Sequence, residues 1–255
     1  MSALRAWIDG ALAASALALA RDLTGHERPL EALRPARPVA LAPERVVAFW
    51  SLTAGIGTST LAALVAHRSA SAGRAPVLVD LDRWAPSLAL RAGLEAATVA
   101  DALIRPGAER DVLSRWSNVP FLPGSTAIRG ANPDRLGRLL DAVTSGRAAV
   151  LDLGAGADAL ETGVAGRADV LCLCVGTRAA QLQAAFGAMS LLRELAPRVV
   201  VAVIGAAEDD ARRVASRLPW PLGAAIPADE HLARDDFAAR APTLRAVDRL
   251  IGAFA

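Results

Sequence analysis

The chain contains no lysine and no tyrosine, so all 28 of its basic side chains are arginine. Without lysine there is no ammonium group for a Schiff base and none to act as a point charge on a phosphate. Aromatic residues make up 4% and charged residues 21%, against 53% apolar residues. That balance supports a sizeable buried core and argues against an intrinsically disordered chain. A formal net charge of +2, with arginines scattered among acids, gives no basic stripe, so a nonspecific nucleic-acid surface is not expected. Cysteine is limited to Cys172 and Cys174, two apart in the apolar run from Asp169 to Val175, where strand alternation puts both on one face. With no histidine near them they read as buried packing residues rather than a bridge or a metal pair. His26, His67 and His231 lie far apart, and no serine–histidine or cysteine–histidine constellation is evident. The longest uncharged apolar stretch near the N-terminus, Gly10 to Ala20, is too short to cross a bilayer, and Asp9 interrupts a signal-peptide pattern. A soluble cytoplasmic protein is the expectation.

What is present fits one α/β domain with a short appendage, since 255 residues leave little room for two large domains. Residues Ser2 to Leu23 read as an alanine-rich helix, with Leu4, Trp7, Ile8, Leu12 and Leu19 near helical spacing. Pro29, Pro35, Pro38 and Pro43 then forbid regular helix and predict an extended connector. Residues 1–44 are therefore read as a helical extension with its connector, and residues 45–255 as the main domain. Within the latter, short apolar runs alternate with longer helical stretches. Strands are predicted at Arg45–Trp50, Pro76–Leu81, Val119–Leu122, Ala148–Leu153, Asp169–Val175, Arg198–Ile204 and Leu222–Ile226. Runs apolar on both sides are those of a mostly parallel, doubly wound sheet covered by helices on both faces.

The first strand leads into Ser51-Leu52-Thr53-Ala54-Gly55-Ile56-Gly57-Thr58-Ser59-Thr60, and Leu61, Leu64 and Val65 follow at helical spacing. A glycine loop between strand and helix can turn backbone N–H groups toward a polyphosphate, and the helix adds the positive end of its dipole. Ser59 holds the position whose hydroxyl would reach a magnesium ion. The next strand delivers Asp80 and Asp82 at its C-terminal end, and a later one ends in Asp152-Leu153-Gly154, on the side of an open sheet where ligands collect. Strand-end aspartates also serve as helix caps, so either role remains open at this stage.

Thr53 to Thr60, Val77-Leu78-Val79-Asp80-Leu81-Asp82 and Val150-Leu151-Asp152 together resemble the deviant Walker A ATPases of the ParA and MinD superfamily. Ala168-Asp169-Val170-Leu171 and Pro221 to Pro227, with its isoleucine-proline end, extend the resemblance over most of the chain from Arg45 onward. It implies a P-loop NTPase fold of the SIMIBI type, bound ATP and Mg2+, and a homodimer. Carried over residue by residue, the nucleotide would lie on Thr53, Ala54, Gly55, Ile56, Gly57, Thr58, Ser59 and Thr60. The metal would lie on Ser59, Asp80 and Asp152, with Asp80 a candidate for activating water.

The departures narrow the expectation. The superfamily carries a signature lysine where this chain has Thr53 and a Walker lysine where it has Thr58. Gly57-Thr58-Ser59-Thr60 resembles the CpaE and TadZ branch, which tolerates such a replacement and is associated with Tad pilus or secretion assembly and polar localisation; septum-site relatives are equally compatible. The receiver-like N-terminal domain common in that branch does not fit into 44 residues. With both lysines gone, hydrolysis is expected to be weak or absent while binding survives on backbone N–H groups, helix dipole and metal. Arg83, just past Asp80, is the arginine considered as a substitute, although a solvated role is the simpler reading. The adenine-contacting asparagine of the superfamily has no counterpart near Ile204 and Gly205. Leu244, Val247, Leu250, Ile251 and Phe254 line one face of a C-terminal helix, with Arg245, Asp248 and Arg249 elsewhere, a pattern favouring packing on the domain over the membrane contact seen in MinD relatives. Partners would be pilus, secretion or division machinery. The alternatives are an interaction scaffold with a vestigial site, or a ParA-like DNA-associated partition protein.

Overall fold

The computed structural model describes residues 37–105, 107, 111–193, 198–233 and 237–255. The helix expected over Ser2 to Leu23 and the first part of the proline connector lie outside these residues. Eight strands form one sheet: β1 (Val46–Ser51), β2 (Val77–Asp80), β3 (Ser114–Trp116), β4 (Val119–Leu122), β5 (Ala149–Ala155), β6 (Val170–Gly176), β7 (Arg198–Ile204) and β8 (Leu222–Ile226). Their order is β3-β4-β2-β5-β1-β6-β7-β8, and every described pairing is parallel except β3 with β4.

β1 sits in the middle of the sheet because it can be buried on both sides. Val47 and Phe49 pack into one apolar layer and Ala48 and Trp50 into the other, all four inaccessible to solvent. The first layer is closed by α1 (Thr58–Ser71) and the C-terminal helix, named α8 below, and the start of α2 (Leu88–Ala92) adds Leu88 to it. The second is closed by α3 (Val99–Ile104), α4 (Pro133–Thr144), α5 (Ala179–Leu192) and α6 (Glu208–Ala215). A short α7 (Glu230–Ala233) precedes α8 (Ala241–Ala253). Cys172 and Cys174 are free, buried and on the same layer, as strand alternation requires. Burial pushes the Cys172 thiol well above its ordinary range, the direction expected of an inert packing residue.

Strand β3 is absent from the sequence-based expectation. It is only three residues long, its arginine points outward, and it exists because Ser114, Arg115 and Trp116 pair with Phe121, Pro120 and Val119 around a turn in which Ser117 takes a positive φ of 54°. No apolar run announces such an edge hairpin. The C-terminal helix lies on the domain as expected, with Val247, Leu250, Ile251 and Phe254 buried and the Phe254 ring edge-on to Phe49 at 5.9 Å. Two of its assignments change. Leu244 is only half-buried, while Asp248, expected on the solvent side, is buried and accepts both Nε (2.8 Å) and Nη2 (2.7 Å) of Arg68 on α1. The end of the proline connector joins the same contact: Val39 N–H donates to Asp248 at 3.2 Å, and Leu41, fully buried, donates to the Ser69 hydroxyl at 3.0 Å.

Two neighbouring strands send the chain to opposite faces. β1 continues into α1 on one face, whereas β5 continues into two 3-10 turns, Ala157–Thr162 and Ala165–Arg167, that pack into the layer on the other. A crevice opens at the C-terminal ends of such a strand pair, which is where ligands bind in open α/β sheets.

Candidate functional site

The crevice is floored by the loop between β1 and α1. Gly55 and Gly57 have φ of +76° and +100°, conformations that glycine adopts without strain. Open space surrounds the Cα hydrogen of Gly55, and beside Gly57 the nearest group is Ile204 at the end of β7. Gly57 ends the loop as the residue before the first turn of α1, and no side chain caps that turn. The uncapped N-terminus of a 14-residue helix offers N–H groups and a partial positive charge to an anion. The expected nucleotide-contacting residues divide by side chain. Ile56 and Thr58 are buried, Ala54 and Gly55 exposed, and Thr53, Ser59 and Thr60 half-buried. Ile56 is a plug in the apolar layer below. Thr58 donates from its hydroxyl to Ser51 Oγ at 2.9 Å, and Ser51 donates to the Thr53 carbonyl at 2.9 Å, so these residues offer a ligand their backbone while their hydroxyls brace the loop.

Parallel register brings the carboxylates together. Asp80 on β2 is paired with Asp152 on β5, so both side chains leave the sheet on the α1 face. Asp80 is buried; its Oδ1 accepts the Asp82 N–H at 3.1 Å and its Oδ2 the Leu88 N–H at 3.3 Å. This carboxylate therefore staples the turn after β2 and fixes the start of α2. Its carboxyl is raised well above the usual range, first by burial and then by the neighbouring Asp152. Asp152 is fully buried; the Gly154 N–H donates to Oδ1 at 3.0 Å, and Oδ2 is left with no hydrogen-bond partner. Burial pushes its pKa up to about 6, the Ser59 hydroxyl, the Gly154 N–H and Arg91 pull it down, and Asp82 pushes it up. A buried carboxylate oxygen without a donor, beside a serine hydroxyl at an uncapped helix start, is a donor set suited to a hard divalent cation. Magnesium fits Ser59 and Asp152 on these grounds.

Asp82 is the third carboxylate of the group. Its Oδ1 accepts the N–H groups of Trp84 (2.9 Å) and Ala85 (3.0 Å), and its side chain occupies the space that a Cβ on Gly154 would need. Arg83 is neither solvated nor turned to the loop, contrary to both expectations. It donates to the carbonyls of Asp158 and Arg129, each at 2.7 Å, and lies 3.6 Å from the Asp158 carboxylate. Trp84 completes this lacing by donating to Asp158 Oδ2 at 2.6 Å, with Arg129 stacked 4.7 Å from its ring. The residue that sequence reasoning passed over is Arg91. From α2 its Nη1 donates to Thr60 Oγ1 at 2.6 Å, at the first turn of α1. No periodic pattern marks so short a helix, and only the fold brings it beside the loop. His67 is half-buried and edge-on to Trp116 at 4.7 Å, and partial burial lowers its pKa, so it belongs to the packing of α1.

Strand, glycine loop, uncapped helix and carboxylates on two neighbouring strands of an eight-stranded, mostly parallel sheet make an α/β fold that matches P-loop NTPase structures. The solved structures this chain is similar to include MinD and ParA ATPases. The Aquifex aeolicus MinC:MinD cell division complex aligns at a TM-score of 0.67 and 16% identity, over 82% of this chain and 94% of that one. The Pyrococcus furiosus cell division ATPase MinD aligns at 0.67 and 20%, over 82% and 97%. A ParA family ATPase from Chlorobium tepidum aligns at 0.64 and 19%, over 83% and 97%. A Borrelia burgdorferi plasmid partition protein bound to AMPPNP aligns at 0.65 and 14%, over 82% and 97%. No family model and no curated protein matches the sequence. Among the described residues no helix is long and apolar enough to cross a membrane.

Proposed function

We propose that this chain is a nucleotide-responsive switch that binds ATP with magnesium at the 53–60 loop and hydrolyses it weakly or not at all. The observation that carries the reading is the buried, donorless Oδ2 of Asp152 beside Ser59. Backbone N–H groups of the loop and of the first turn of α1 would cradle the phosphates. Ser59 and Asp152 would hold the metal, with Asp80 behind them. The metal, when bound, supplies positive charge to the phosphates and lifts the repulsion among Asp80, Asp82 and Asp152. AMPPNP in the Borrelia partition protein and ATP in a Cyanothece McdA variant support the choice of nucleotide.

Weak turnover follows from what the loop lacks. Threonine stands at both positions where the superfamily has lysine, and the Thr58 hydroxyl is engaged within the loop. Asp80, the residue considered for water activation, has both carboxylate oxygens on backbone N–H groups. Since phosphoryl transfer depends on positioning and electrostatic stabilisation, ATP here acts as a conformational or dimerisation ligand. The Gly57-Thr58-Ser59-Thr60 pattern supports a localisation or assembly factor of the CpaE and TadZ kind, recruited to a pole or a membrane-associated machine of pilus, secretion or division proteins. The MinC:MinD complex supports the idea of a protein partner.

Isothermal titration calorimetry with ATP, with and without Mg2+, tests the reading alongside light scattering. Saturable, magnesium-dependent binding that is lost in Asp152→Ala is expected, with a shift toward dimer. No heat and no thermal shift at millimolar nucleotide would overturn it, and turnover at the rate of an ordinary P-loop ATPase would overturn the claim of weak hydrolysis.

A further inference from the structure

We infer that Arg91 supplies the cation that the phosphate loop lacks, contacting the terminal phosphates from α2 rather than from the loop. The inference rests on the nucleotide reading above and names the residue that gives it electrostatic strength. Three observations carry it. First, the guanidinium is anchored at the right place: Arg91 Nη1 donates to the hydroxyl of Thr60, the residue that follows Ser59 in the first turn of α1. Second, the Arg91 side chain is half-buried, so its charge is only partly screened by water. Third, its backbone is fixed to the site. The Asp80 carboxylate accepts the Leu88 N–H, Leu88 is fully buried, and the Arg91 N–H donates to the Ser87 carbonyl at 3.1 Å. Asp80 thereby sets the turn that carries Arg91.

The alternative cation, Arg83, is committed to the carbonyls of Asp158 and Arg129. In a chain without lysine, the half-buried Arg91 guanidinium can put a full positive charge beside the helix start, and its planar fork matches phosphate oxygens two at a time. Thr60 holds the guanidinium at the first turn of α1, the turn whose N–H groups would carry the phosphate. Nucleotide would then join α1 to α2, and through the Asp80 staple to β2, which ties phosphate occupancy to the turn bearing Asp82 and Trp84.

The test is calorimetric titration of magnesium ATP and of magnesium tripolyphosphate into wild type, Arg91→Ala, Arg91→Gln, Arg91→Lys, Thr60→Val and Arg178→Ala. Thermal unfolding shows which variants are folded, and Arg91→Gln keeps a donor for Thr60 without the charge. Removing the charge is expected to weaken both ligands by roughly 10- to 100-fold, tripolyphosphate as much as ATP, with Arg91→Lys in between. Thr60→Val, which leaves the charge in place, should lose less, and Arg178→Ala should change little. If Arg91→Gln binds like wild type, the inference is overturned while the nucleotide reading stands. Thr60→Val losing as much as Arg91→Ala would make Arg91 a brace for the helix, and an equal loss in Arg178→Ala would make the effect one of overall charge; either overturns the inference. Wild type binding neither ligand overturns the nucleotide reading and this inference together.

Discussion

The Thr58 hydroxyl donates to the Ser51 hydroxyl across 2.9 Å, joining the first residue of α1 to the last residue of β1. The Thr58 side chain is buried and used as a strut, and Ser51 passes the bond on to the Thr53 carbonyl at 2.9 Å. The loop is thus held in a cradle shape by its own hydroxyls.

Thr58→Val keeps the shape of the side chain and removes the donor, and it should cost about 1 kcal/mol of stability in denaturant unfolding. Thr58→Lys loses the same bond but adds a cation at the cradle. It should unfold at a similarly reduced denaturant concentration and bind magnesium ATP more tightly than wild type.

The raised carboxyl of Asp152 makes stability depend on pH in a definite direction. Its pKa goes from an ordinary 3.8 to about 6 in the folded chain, because burial disfavours the charged form. Between those values the native state keeps a proton that the unfolded chain has released, so stability falls as pH rises through this window and levels off above it. Asp152→Asn should remove that part of the slope and be more stable than wild type near neutral pH by about 1 to 3 kcal/mol. Thermal melts of both proteins from pH 4 to 8 check the sign.

Gly154 has a φ of +68°, and a Cβ there would come within 2.4 Å of the Asp82 carboxyl carbon. Asp82 is not free to yield, since it accepts the Trp84 and Ala85 N–H groups. Gly154→Ala should therefore destabilise by about 2 kcal/mol or more, and should alter the fluorescence of Trp84 by loosening the turn.

The Arg68–Asp248 pair, with side-chain exposures of 14% and 9%, joins α1 to α8 and accepts the connector at Val39. Removing one partner leaves a mostly buried charge, so Asp248→Ala should cost about 3 kcal/mol. Replacing both together, as Arg68→Met with Asp248→Leu, should cost markedly less. Equal losses in the single and double variants would show that the pair does not act as a unit.

Much of this architecture is local in origin. Every strand expected from an apolar run is found, because residues such as Val47, Ala48, Phe49 and Trp50 are apolar on both faces and can only be satisfied in the middle of a covered sheet. The glycine loop and Ser59 were legible from spacing alone, whereas Asp152, expected at a strand end, lies in mid-strand because β5 runs on to Ala155. The short hairpin strand β3 was not, since its pairing with β4 rather than its own composition creates it. Asp248 escaped notice because a charged residue on a helix reads as solvent-facing until a partner such as Arg68 is brought to it from 180 residues away.

The sequence by itself determined that the domain is a doubly wound α/β fold and that the glycine loop after its first strand has no lysine. Only the tertiary structure decided how the polar side chains divide their work. Asp80 became a staple and Asp152 a carboxylate with an oxygen to offer, although the two are register partners on neighbouring strands, because their backbone surroundings present different numbers of N–H groups. Arg83 was drawn into lacing loops and Arg91 was set beside Thr60, because long side chains take the hydrogen-bond partners that folding, not spacing, places within reach.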